Sequence, residues 1–116
     1  MNFEEYKLEQ GSIMIAYSEK NLSVGVLKLM PGKELAKHNR PALESLFQLK
    51  GKCKMKVFED DNSFIEVVLN EGESINISSL KFHIHSNPFD EESFTFWKAT
   101  GDITEIIKDI RSGQKM

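Results

Sequence analysis

Residues 32–51 read GKELAKHNRPALESLFQLKG. A glycine opens the stretch and another closes it. Between them stand His38, Arg40 and Glu44, and ESLFQLKG reads as a short strand bounded by turn chemistry. Pro41, just before it, marks a bend by which the chain enters that strand. In an extended segment His38 and Arg40 share one face, and Glu44 begins the strand in the same parity. Three groups able to hold a proton, a cation or an anion are thus aimed to one side of one short piece of chain.

Working outward, the same grammar recurs. SIMIAYS, NLSVGVLKLM, ESLFQLKG, KCKMKVFE, FIEVVLN, ESINIS, LKFHIHS and SFTFWKA are rich in β-branched and aromatic residues, and turn chemistry such as SEKN, MPGK, EDDNS, NEGE and NPFDEE separates them. Eight short strands in 116 residues predict a single all-β domain, an antiparallel barrel or sandwich, instead of parallel β-α-β units. In one of these strands Lys50, Lys52, Lys54 and Lys56 take one parity and Cys53, Met55 and Val57 the other, which gives a solvated face and a core face. Met55 reads as core filler.

One helix is expected, over about 103–112. Ile103, Ile106, Ile107 and Ile110 fall at i, i+3, i+4 and i+7, and Asp102 and Glu105 read as a capping pair before Gly113 closes the other end. Its apolar stripe must cover something, either one end of the barrel or a second copy of the chain.

Composition bounds the function. A net charge of −3 with scattered basic residues offers no footprint for a polyanion, so no nucleic-acid partner is expected. No apolar run reaches the length of a membrane span, and the acidic start MNFEEYKLEQ does not read as a secretory leader. Cys53 is the only cysteine, which predicts a reducing, cytoplasmic setting without a disulfide framework.

All three histidines lie in two segments, the opening stretch and LKFHIHSNP, where His83, His85 and Asn87 share a face. The stretch from Gly32 to Gly51 resembles the first motif of the cupin superfamily, G-x5-H-x-H-x3,4-E-x6-G, with Arg40 in place of its second histidine. Residues 72–87 resemble the second motif, G-x5-P-x-G-x2-H-x3-N, through Gly72, His83 and Asn87, with Ser78 and Leu80 where the family has proline and glycine. The resemblance covers roughly residues 22–98. It implies an antiparallel jelly-roll barrel, a homodimer, and an internal divalent metal (Fe, Mn, Ni or Zn) at the positions of His38, Arg40, Glu44 and His83.

A guanidinium keeps its proton and has no lone pair for a metal. Three arrangements follow from that substitution. His38, Glu44 and His83 hold the ion and Arg40 grips an anionic substrate; or His85 supplies the missing imidazole, although residues two apart on a strand are about 6.5–7 Å apart; or the metal is absent and Arg40 pairs with Glu44 in its place. Gln48, in the parity of Glu44, and His85 are the other candidates for lining a ligand cavity. The function implied is a small-molecule-binding barrel with an altered metal site, or alternatively a metal-dependent enzyme of dioxygenase or isomerase type acting on a small anion. No nucleophile with an adjacent base is evident, so no reaction is assigned from the residues.

Overall fold

The computed structural model describes residues 3–116 and contains ten strands and one helix. The strands are β1 (Glu4–Leu8), β2 (Gly11–Glu19), β3 (Leu22–Leu29), β4 (Lys33–Glu34), β5 (Ala42–Lys50), β6 (Cys53–Phe58), β7 (Phe64–Leu69), β8 (Ser74–Ile77), β9 (His83–Asn87) and β10 (Ser93–Gly101); the helix α1 is Thr104–Arg111. They form a six-stranded sheet in the order β1-β2-β3-β10-β5-β8 and a four-stranded sheet in the order β4-β9-β6-β7, antiparallel throughout. The two sheets stay separate as ladders, so the predicted barrel is a jelly roll of two sheets whose inner sides share one core.

Alternation places that core. Along β6 the burial follows Cys53, Met55 and Val57, while Lys54 pairs with Glu66 at 2.9 Å and Lys56 lies over the Phe64 ring, so the lysine face is a solvated one. Along β10 Ser93, Thr95, Trp97 and Ala99 point inward. Close approach of strands is bought with glycine at one point: a Cβ on Gly25 of β3 would strike the Met14 carbonyl and the Trp97 indole, beside the irregularity between Ile15 and Tyr17 of β2. Gly51, at φ 70°, turns β5 into β6 against the Glu92 carbonyl.

All eight strands expected from the sequence are present. Two more were not expected. β1, EEYKL, is charged at three of its five positions and buries only Tyr6, so it has no apolar rhythm to betray it, and β4 is two residues long. The helix also begins one residue later than expected. Ile103 occupies the N-cap position without a side-chain cap, and the Asp102 carboxylate instead accepts the Thr104 N–H at 3.0 Å; Glu105 makes no return bond. The apolar stripe faces the jelly roll. Ile103 and Ile107 are buried in the core, and Ile106 and Ile110 are packed against it. Among the described residues no helix is long and apolar enough to cross a membrane.

Candidate metal centre

The opening stretch delivers its polar side chains by two different routes. Glu44 comes from β5 in the inward parity, whereas His38 comes from the connection before it and is fixed against β9 by a pair of backbone bonds, His38 N–H to the His83 carbonyl at 3.1 Å and His83 N–H to the His38 carbonyl at 2.8 Å. His38 therefore sits opposite His83 across the ladder. Their rings meet edge to face with centroids 4.3 Å apart.

Backbone carbonyls settle which ring nitrogens are available. His38 Nδ1 lies 2.8 Å from the Ala36 carbonyl and His83 Nδ1 lies 2.9 Å from the Lys81 carbonyl. A carbonyl only accepts, so each Nδ1 carries a proton and Nε2 is the nitrogen left to face the site. This is the way metal-binding imidazoles are commonly oriented. Burial pushes the His38 pKa down to about 4, and burial together with the neighbouring His83, His38 and Arg40 holds His85 well below the ordinary histidine range. Both rings are neutral at neutral pH.

His83 Nε2 and Glu44 Oε2 are 2.8 Å apart, His83 fully buried and Glu44 nearly so. Despite this distance the pair makes no hydrogen bond, and both atoms are otherwise unpartnered. Two buried polar atoms thus face each other unsatisfied, an arrangement that a shared cation relieves. Donors held about 2.1 Å from one ion at a right angle lie about 3.0 Å apart, close to the separation seen. The ligand atoms of His38, His83 and His85 lie within 4.8 Å of one another. These residues fit a divalent metal.

His85 is closer than strand spacing suggests. Its ring centroid is 5.1 Å from that of His83 and 5.4 Å from that of His38, on which it stacks, because the rings converge although the backbone positions do not. His85 is buried, and its Nδ1 has no partner. Arg40 stands beside the cluster, half-buried. Among the described residues no carboxylate lies within 4.0 Å of its guanidinium, so the Arg40–Glu44 pair of a metal-free arrangement is not formed; Glu44 is turned to His83.

Arg40, His38, Glu44 and His85 line one side of a cavity of about 320 Å³. The rest of its wall is apolar and comes from several elements: Leu8 of β1, Ile13 of β2, Leu46 of β5, Trp97 of β10, and Ile106 and Ile110 of α1. Gln48 lies outside this wall. Its amide is satisfied within the core, donating to the Lys50 carbonyl and Ser93 Oγ and accepting from Thr95 at 2.6 Å, so it braces β5 against β10. Asn87 likewise donates to the Leu29 and Glu91 carbonyls and accepts from Phe89 N–H, closing the turn after β9. The contribution of β1 to the cavity has no signal in the sequence. That of the helix does, in its isoleucine stripe.

No protein-family model and no curated protein matches the chain. Solved structures do. Bacillus subtilis oxalate decarboxylase, a protein with Mn(II) centres, superposes with a TM-score of 0.76 at 23% identity over 85% of this chain. Recombinant oxalate oxidase in complex with glycolate gives 0.65 at 20% identity over 70% of this chain and 42% of its own. The conserved SPY1581 protein of unknown function from Streptococcus pyogenes gives 0.65 at 16% identity, covering 75% of this chain and 70% of its own. The chain spans 28% of the length of the oxalate decarboxylase it matches. At these identities the likeness is one of fold.

Proposed function

The chain is a cupin by fold, and on that premise we propose that it is a small-molecule-binding protein built around one divalent metal, held by His38, His83 and Glu44 with His85 at its edge. The observation that carries this reading is the facing of His83 Nε2 and Glu44 Oε2 at 2.8 Å without a hydrogen bond. Imidazoles together with one carboxylate, with positions left open, are a donor set suited to iron or manganese. A bound metal supplies a Lewis-acid centre that orients and polarises an anionic oxygen. Arg40 occupies the place of a fourth protein ligand; it cannot coordinate, so it supplies a second, fixed positive charge in the cavity wall.

A metal-dependent enzyme acting on a small anion is the second reading. It is favoured by the cavity, which reaches His38, Glu44 and His85 and so gives a ligand access to the metal position. Both readings require the metal. Elemental analysis of untagged wild-type protein should find about one manganese or iron per chain, and His83→Ala should weaken metal uptake by about 100-fold or more. A wild type that takes up no manganese, iron, nickel or zinc at micromolar concentration overturns the proposal.

A further inference from the structure

We propose that the cavity takes a monocarboxylate with an apolar body, its carboxylate between the metal and Arg40 and its body under the C-terminal helix. This deepens the reading above and rests on it, because the ion is what leaves the cavity with an excess of positive charge. Glu44, the one carboxylate in the cavity lining, is already turned to His83, and Arg40 has no ion pair among the described residues. A divalent ion and a guanidinium against one carboxylate call for an anion, and Arg40 presents a planar pair of donors suited to a carboxylate.

The rest of the ligand is set by the wall. The polar lining is confined to one side, and the only hydroxyl there, Thr95, is engaged by Gln48. Leu8, Ile13, Leu46, Ile106 and Ile110 offer a second anionic group nothing to bind, and Trp97 offers only a neutral indole N–H, which has no partner among the described residues. A chain with a carboxylate at each end, such as octanedioate, would leave its second charge without a cation against a largely hydrocarbon wall, which is costly, whereas an alkyl or aryl body gains from the same surface. At about 320 Å³ the cavity is at the small end of the roughly 300–1,000 Å³ common for small-molecule sites, so the body is short.

Calorimetric titration of manganese-loaded protein with butanoate, hexanoate, octanoate and octanedioate tests this, with metal content measured on every sample. Affinity should rise about threefold to fourfold per buried methylene along the monocarboxylate series. Octanedioate should bind more weakly than octanoate. Arg40→Gln should lose about tenfold or more in octanoate affinity while keeping its metal, and Arg40→Lys should recover part of the loss. Ile110→Asn, on the far wall, should flatten the chain-length dependence; its fold is checked by circular dichroism, and Ile106→Asn serves if Ile110→Asn does not fold. Metal-loaded protein that binds octanedioate at least as tightly as octanoate, or an Arg40→Gln variant with unchanged octanoate affinity, overturns the ligand class and leaves the metal site standing. Protein that takes up no metal and binds no octanoate overturns both, and the metal measurement tells the two failures apart.

Discussion

Leu80 is the residue at which this chain departs most visibly from its own backbone preference. Its φ of 66° lies in the left-handed region, which costs a side chain with a Cβ roughly 1–2 kcal/mol. Two hydrogen bonds hold it there, Leu80 N–H to the Arg40 carbonyl at 2.7 Å and Asn39 Nδ2–H to the Leu80 carbonyl at 3.0 Å, so the strained residue is what ties the site-bearing connection to the turn before His83. The side chain is 61% exposed and contributes little packing. Leu80→Gly should therefore stabilise the protein by about 0.5–1 kcal/mol after the greater freedom of glycine in the unfolded chain is deducted, seen as a higher urea midpoint at unchanged slope. A lower midpoint would show that Leu80 packs against something the exposure does not reveal. The motif that residues 72–87 resemble has glycine at this position, and the left-handed backbone that Leu80 keeps gives the reason, which the sequence alone did not show. The same holds for the metal ligands. Parity put His38, Arg40 and Glu44 on one face, but parity says nothing of how far two rings lean together, and so His85 was expected to stand too far from His83.

Among the elements, the helix shows how far a periodic pattern carries. Eight residues are too few to be helical alone in water, so α1 exists because its stripe is buried against the jelly roll. The stripe is not uniform. Ile107 is 2% exposed and belongs to the core, whereas Ile110 is half-buried at the cavity wall. Ile107→Ala should cost about 2–4 kcal/mol and Ile110→Ala about 1 kcal/mol, measured by chemical denaturation. Equal losses would mean that the helix is held as one unit irrespective of what each side chain touches. The eight strands and the helix were legible because each has an apolar rhythm. β1 was not, since EEYKL buries one side chain and owes its place to hydrogen bonding with β2.

On the scale of the whole molecule, the parts of the chain outside the recognisable motifs are fastened to each other. Arg111, in the last turn of α1, holds Glu4 of β1 in a two-pronged ion pair, with Nε to Oε1 at 3.0 Å and Nη2 to Oε2 at 2.8 Å. Lys7 N–H donates to the Gln114 carbonyl and Met116 N–H to the Glu5 carbonyl, both at 2.8 Å, so the tail after the helix runs beside β1. This pairing sets Leu8 and the helix isoleucines on the same cavity. Hydrogen bonds from Arg111 and Tyr6 lower the Glu4 pKa from its ordinary 4.5 to about 2. A depressed carboxylate stabilises the fold above its unfolded pKa and loses that contribution as pH falls through its folded one. Glu4→Gln should thus unfold more easily than wild type by about 1 kcal/mol at pH 7, a modest figure because the pair is partly solvated. The difference should hold steady down to about pH 4.5 and be mostly gone by about pH 2, where about half of the folded Glu4 side chains carry a proton. Paired denaturation curves across that range measure it. A gap that persists at pH 2 would assign the loss to packing at Glu4 and not to its charge, and the fastening of β1 to the helix would then rest on the backbone bonds alone.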